Sequence, residues 1–242
     1  MISITEPKIA GLDPRWARFA GFSLLFDPPR PSFLAGDGIE ILEADGYGRF
    51  GRALDALQAD RLLEEYGFCR LPPASYHVTA YDVANVADLS RGHPAVCNEL
   101  SALLNRLPEA SAFDDPLLRG AAESELAATD WNLEFGFDAM TRWGSLRLAP
   151  RDPEAFARFV AARAALSREY GIRYGIGAGE RYTPHLTLGY FLNGTGADLA
   201  RPRIPEWDRA LREAIGDETL ILRTVSLYGF TDMATFFRRS GP

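Results

Sequence analysis

The 242-residue sequence holds one lysine, Lys8, two cysteines, Cys69 and Cys97, and three histidines, His77, His93 and His185. The thiols stand 28 positions apart without a C-x-x-C pair or Cys/His ligand spacing, so no structural zinc site is expected. Residues 1–20 carry no basic stretch followed by an apolar core, which predicts no secretory signal and thiols kept reduced in a cytoplasm. No apolar run approaches the roughly 18–20 residues that span a bilayer, so no membrane partner is expected. The formal net charge of −7 argues against duplex DNA, whose binding needs a broad cationic face. A composition of 47% hydrophobic and 24% charged residues excludes a disordered or fibrous chain. Nearly every base is arginine, which suits phosphate recognition, but without a motif the enrichment reads as genome composition.

Order along the chain partly repeats. Residues 21–26 form a strand signal that stops at Asp27-Pro28-Pro29-Arg30-Pro31. A Gly-rich stretch over 36–48 follows, then a helical pattern over 52–66 with Gly67 as its stop. A strand is predicted over 76–83 and helices over 85–107 and 116–129. The second half reads as strands over 131–137 and 144–148, then a helix capped by Asp152 with Pro153 at its first position, running to about Tyr170 and ending at Gly171. Strands over 183–191 and 219–230 close the series. Each half is strand, helix, then a strand carrying histidine. This predicts an α+β protein, one domain spanning 1–242, with two similar lobes over about 15–108 and 116–235. Strand exchange between the lobes is left open.

The two histidine strands read Tyr76-His77-Val78-Thr79-Ala80-Tyr81 and Pro184-His185-Leu186-Thr187-Leu188-Gly189-Tyr190. Side chains alternate on a strand, so His77 shares a face with Thr79 and with Tyr81, and His185 with Thr187. Tyr190 falls on the opposite parity from His185 unless a bulge intervenes. Ser and Thr make up about a tenth of the chain. Two of three histidines followed at the second position by one of them has a chance probability of roughly a few per cent.

If folding brings the strands together, the site holds two imidazoles and two hydroxyls. One imidazole can act as base and the other as acid, while Thr79 and Thr187 donate to the non-bridging oxygens of a phosphate. Two histidines leave a metal short of ligands, so neither metal nor other cofactor is expected. Taken singly, each histidine would more often be structural; the matched pair reverses that weighting. His93, in Arg91-Gly92-His93-Pro94, has no such partner and reads as a surface loop or helix-start residue. Arg181, Tyr182 and Tyr81 are candidate contacts to phosphate or base. The Gly175 to Gly179 run reads as a mobile approach to the site. Glu134 and Asp138 lie near enough in sequence to orient an imidazole, a task that backbone carbonyls do equally well.

Paired H-x-[ST] strands in a two-lobed chain resemble the two-histidine (2H) phosphoesterase superfamily, which includes RNA 2′,3′-cyclic phosphodiesterases of the bacterial ligase-like type. The run Tyr182 to Gly189 is especially similar to the second motif of that superfamily. The resemblance implies two pseudo-symmetric antiparallel sheets flanked by helices around a central cleft. It implies metal-free hydrolysis of a 2′,3′-cyclic phosphate or related small nucleotide phosphodiester. It assigns His77 and His185 as the acid/base pair, without order, and Thr79 and Thr187 as phosphate binders. The expected partner is a small nucleotide or an RNA-terminal cyclic phosphate, bound by a monomer. RNA-end trimming or ligation, and a silent nucleotide-binding module using the same cleft, are the alternatives.

Overall fold

The structure is a computed structural model that describes residues 3–12, 15–43, 46–179 and 181–241. It is an α+β fold. Gly21–Phe26 (β1) is buried at all six residues, a largely apolar run interrupted only by Ser23. Phe33–Ala35 (β2) and Ile39–Leu42 (β3) pair antiparallel at the start of the Gly-rich stretch. Arg49–Arg52 (α1) and Ala59–Tyr66 (α2) replace the single helix expected over 52–66, because Gln58 adopts a left-handed φ of 50° between them. The stop at Gly67 is where the sequence places it, with φ 63°. Phe68–Arg70 (β4) and Thr79–Asn85 (β5) follow, then Pro94–Asn105 (α3), Pro116–Ala122 (α4) and Glu125–Ala128 (α5). His93 sits exposed at the N-terminal boundary of α3.

The second half runs Leu133–Met140 (β6), Ser145–Pro150 (β7), Pro153–Tyr174 (α6), His185–Thr187 (β8) and Gly189–Phe191 (β9). Gly194–Ala200 (α7), Ile204–Ile215 (α8), Leu220–Leu222 (β10), Val225–Phe230 (β11) and Phe236–Arg239 (β12) complete it. The Asp152 cap forms: its side chain accepts from the Glu154 and Ala155 amides at 3.0 Å. The helix runs through Gly171 to Gly175, four residues beyond the expected stop. An internal glycine costs about 1 kcal/mol, and packing of Tyr170 against Tyr174 at 5.1 Å offsets it.

Two sheets organise the chain, in the orders β2-β3-β12-β11-β1-β5 and β10-β6-β7-β8. The last strands, β11 and β12, return to the sheet begun by β1. Helix α6 packs along both sheets. Phe159 lies 5.1 Å from Phe26 of β1 and 5.2 Å from Trp131, Phe156 lies 6.0 Å from Phe135 of β6, and Tyr170 lies 5.8 Å from Tyr81 of β5. Burying each phenylalanine contributes about 2–3 kcal/mol. Among the described residues no helix is long and apolar enough to cross a membrane.

Candidate active site

One backbone bridge builds the site. Val78, just before β5, pairs antiparallel with Leu186 of β8, so the edges of the two sheets meet there. Directly opposed residues share a face. This register sets His77 opposite Thr187 and Thr79 opposite His185, all four on one side of the joined sheets. Val78 and Leu186 point to the other side and are fully buried. Cβ atoms of opposed residues lie about 5 Å apart and those of diagonal ones about 7–8 Å, so both imidazoles fall within reach of one phosphate.

The rings are held alike. His77 Nδ1 lies 2.7 Å from the carbonyl of Ser75, and His185 Nδ1 lies 3.0 Å from the carbonyl of Thr183. A carbonyl only accepts, so each Nδ1 carries its hydrogen and donates it. In the neutral ring, Nε2 is then an acceptor. His77 is 7% exposed, with the Phe236 ring of β12 at 4.4 Å from its own, whereas His185 is half-buried. Burial pushes the His77 imidazole down to about 4; the positive charges of His185 and Lys8 act the same way, while the Ser75 carbonyl and Asp82 oppose them.

Folding therefore excludes a proton that the unfolded imidazole takes up near pH 6.5. Because the folded value lies below the unfolded one, this contribution is present above pH 6.5 and lost as pH falls toward 4. At 1.36 kcal/mol per pH unit it amounts to about 3 kcal/mol. Urea titrations at pH 7 and pH 4 should resolve a loss of that size, over and above whatever the carboxylates contribute. The His77→Gln variant should show a shallower slope across the same window.

The walls include residues that sequence reading passed over. Arg147 of β7 pairs with His185, and Ser145 with Thr187, so both share the histidine face. Arg147 Nε donates to Asp138, which gives that carboxylate an arginine partner rather than an imidazole. Asp82 sits on the same face because β5 bulges: Leu25 pairs with Thr79 but Leu24 with Tyr81, and Ser23 with Asp82. Ser23 Oγ donates to Asp82 at 3.1 Å. Tyr190 leaves the β8 ladder, because the chain breaks at Leu188 and β9 turns to pair with β4, and its hydroxyl lies 3.3 Å from Met233 Sδ. Gly189 permits that crossing, since a Cβ there would collide with the Cys69 carbonyl and the Phe68 ring. Lys8 Nζ lies 4.4 Å from the Tyr190 ring centre. Two surface cavities share a residue with this region but are not lined by the histidines or threonines: one of about 240 Å³ lined by Glu6, Trp143 and Tyr190, and one of about 390 Å³ lined by Asp82, Arg91 and residues 176–179.

The same bulge corrects one expectation. Tyr81 does not share the His77 face; it points to α6, fully buried against Tyr170. Tyr182 is corrected too. Its hydroxyl donates to the Thr79 carbonyl at 2.8 Å and its ring packs on Phe159 at 5.4 Å, so it joins the two motifs from behind. Arg181 stands exposed, and among the described residues it has no hydrogen bond or ion pair. The glycine loop is anchored: buried Arg163 donates to the carbonyls of Ala80 at 3.0 Å, Gly179 at 2.7 Å and Ala178 at 3.1 Å. Among the described residues no group of three or more His, Cys, Asp or Glu is placed to hold a metal ion.

No family model matches the chain, and no curated protein matches it. Among solved structures, it is similar to a conserved protein of unknown function, ATU0111, from Agrobacterium tumefaciens str. C58. The two share 12% sequence identity with a TM-score of 0.55, over 98% of this chain and 90% of that one, a likeness of fold alone.

Proposed function

We propose that the protein is a phosphoesterase that opens a 2′,3′-cyclic phosphate, or a related small nucleotide phosphodiester, without a metal. One observation carries this reading. Two imidazoles on adjoining strands are each fixed through Nδ1 to the carbonyl two residues back, with a threonine opposite each on the same face. In this reading the six- and four-stranded sheets are the two pseudo-equivalent lobes, meeting at the cleft.

The environments separate the roles. His77, buried and kept neutral, offers Nε2 as the base that takes a proton from water. The water oxygen forms a bond to phosphorus as the bond to one ribose oxygen breaks. His185, half-exposed on the facing strand, gives its Nε2 proton to the departing oxygen. One water is consumed and a phosphomonoester results. Proton exchange with solvent resets both rings. The Thr79 and Thr187 hydroxyls donate to the oxygens on which charge accumulates.

The test is turnover of a panel of 2′,3′-cyclic nucleotides in excess EDTA. The expected result is conversion to a single phosphomonoester per substrate at an undiminished rate. Loss of turnover with EDTA would overturn the metal-free reading. Binding without turnover would favour the silent nucleotide-binding module.

A further inference from the structure

Resting on the phosphoesterase reading, we propose that Lys8 is the phosphate-binding cation of this site, holding a non-bridging oxygen and answering the charge gained in the transition state. The threonine hydroxyls and the neutral His77 imidazole supply hydrogen bonds but no positive charge, and the His185 proton leaves with the departing oxygen, so neither ring is a fixed cation. Of the other bases near the two motifs, Arg181 is exposed and unpaired among the described residues, and the two that are buried or on the histidine face are committed. Arg147 pairs with Asp138, and all three donor nitrogens of Arg163 are occupied by backbone carbonyls.

Lys8 is placed rather than free. Its carbonyl accepts from the Ala17 amide at 2.9 Å, and the next residue, Ile9, bridges to Trp16 and is buried with Cys69 and Leu192. The ammonium lies over Tyr190 at 4.4 Å and Phe19 at 5.3 Å and donates to Tyr190 Oη at 3.4 Å. An ammonium carries three hydrogens, so two remain for a ligand. Among the described residues it makes no ion pair; the charges of Glu6 and Asp82 act on it without closing on it. A run of rings joins it to His77: Phe19 stacks on Phe230 at 6.4 Å, Phe230 meets Phe236 at 5.4 Å, and Phe236 meets His77 at 4.4 Å. Burial lowers the ammonium's proton affinity, as expected of a cation partly stripped of water.

The experiment compares K8M, K8R and, as a charge-loss control on the exposed face of α2, R61M with the wild type, using 2′,3′-cyclic AMP for turnover and calorimetry of adenosine 2′- and 3′-monophosphate for binding. Loss of one transition-state donor lowers rates by about 10²-fold to 10³-fold. K8M is expected to lose about 10²-fold in kcat/KM, to bind product at least about tenfold more weakly, and to lose most of its dependence on NaCl. K8R should stay within about tenfold of wild type, and R61M within about threefold. Because Lys8 is the only lysine, acetylation of the native protein followed by hydroxylamine, which clears acetyl groups from tyrosine and imidazole, leaves them on Lys8 and the α-amine, which repeats the test independently of whether K8M folds. Product monophosphate should protect against inactivation. Active wild type with K8M and acetylated protein unimpaired would overturn the Lys8 assignment alone. Wild type that neither turns over nor binds would overturn the phosphoesterase reading and this proposal with it.

Discussion

His77→Asn and His185→Asn should each lower kcat/KM for a cyclic nucleotide by about 10³-fold, within the hundredfold to ten-thousandfold that a positioned acid or base contributes. Asparagine keeps a polar group beside the Ser75 or Thr183 carbonyl and avoids opening a cavity under Phe236. The double variant should be little worse than the weaker single one, because residues that act in one proton relay are strongly non-additive. The two singles should part company on an aryl phosphodiester, whose leaving group departs without protonation. His185→Asn should regain most of its activity there; His77→Asn, lacking the base, should not. The reverse pattern would exchange the roles that burial assigns. On the acid side, the wild-type kcat/KM profile should hold well below pH 6, because His77 stays neutral to about 4. A limb near 6.5 would mean that the imidazole is not desolvated as its 7% exposure indicates.

The four central residues were legible in the sequence because they need only strand parity, a property of local backbone. The α+β class and the Asp152 cap were legible for the same reason. What local parity could not supply is register. The bulge between Thr79 and Tyr81 moves Tyr81 to the helix side and brings Asp82 to the histidine side, and no single-strand pattern announces it. Tyr190 has the opposite parity from His185 unless the strand is interrupted, and the interruption at Leu188 is explained only by the partner strand β4. Arg147 and Ser145 enter through pairing between β7 and β8, and Phe236 through β12. That last strand, Phe-Phe-Arg-Arg, is four residues long and does not alternate, so it offers little period to read. Lys8 was visible only as a rarity of composition; its place depends on the bridge between Ile9 and Trp16.

Arg163→Met should destabilise the fold by about 3 kcal/mol, a fall of roughly 6–12 °C in Tm for a chain of this size. The bulge in β5 takes residues out of the regular ladder, and the backbone there is satisfied from the helix side: Arg163 serves Ala80 and Tyr182 serves Thr79. The remaining donors of Arg163 tie down Ala178 and Gly179. Methionine fills most of the volume but leaves three carbonyls without their donor, each worth about 1–3 kcal/mol where water cannot replace it. Relief from holding a buried cation offsets part of this total. Guanidinium stacking, 4.9 Å from the Tyr182 ring, is lost as well. The damage should be directional. Amide hydrogen exchange should accelerate first over residues 176–179 and at the start of β5, while α8, which packs on β6 and α1, keeps its protection until global unfolding. Activity should fall more than the folded fraction does, because Thr79 and the bridge at Val78 hang on the same bulge. A variant with unchanged Tm and unchanged exchange at the loop would show that the clamp holds nothing the sheets do not already hold.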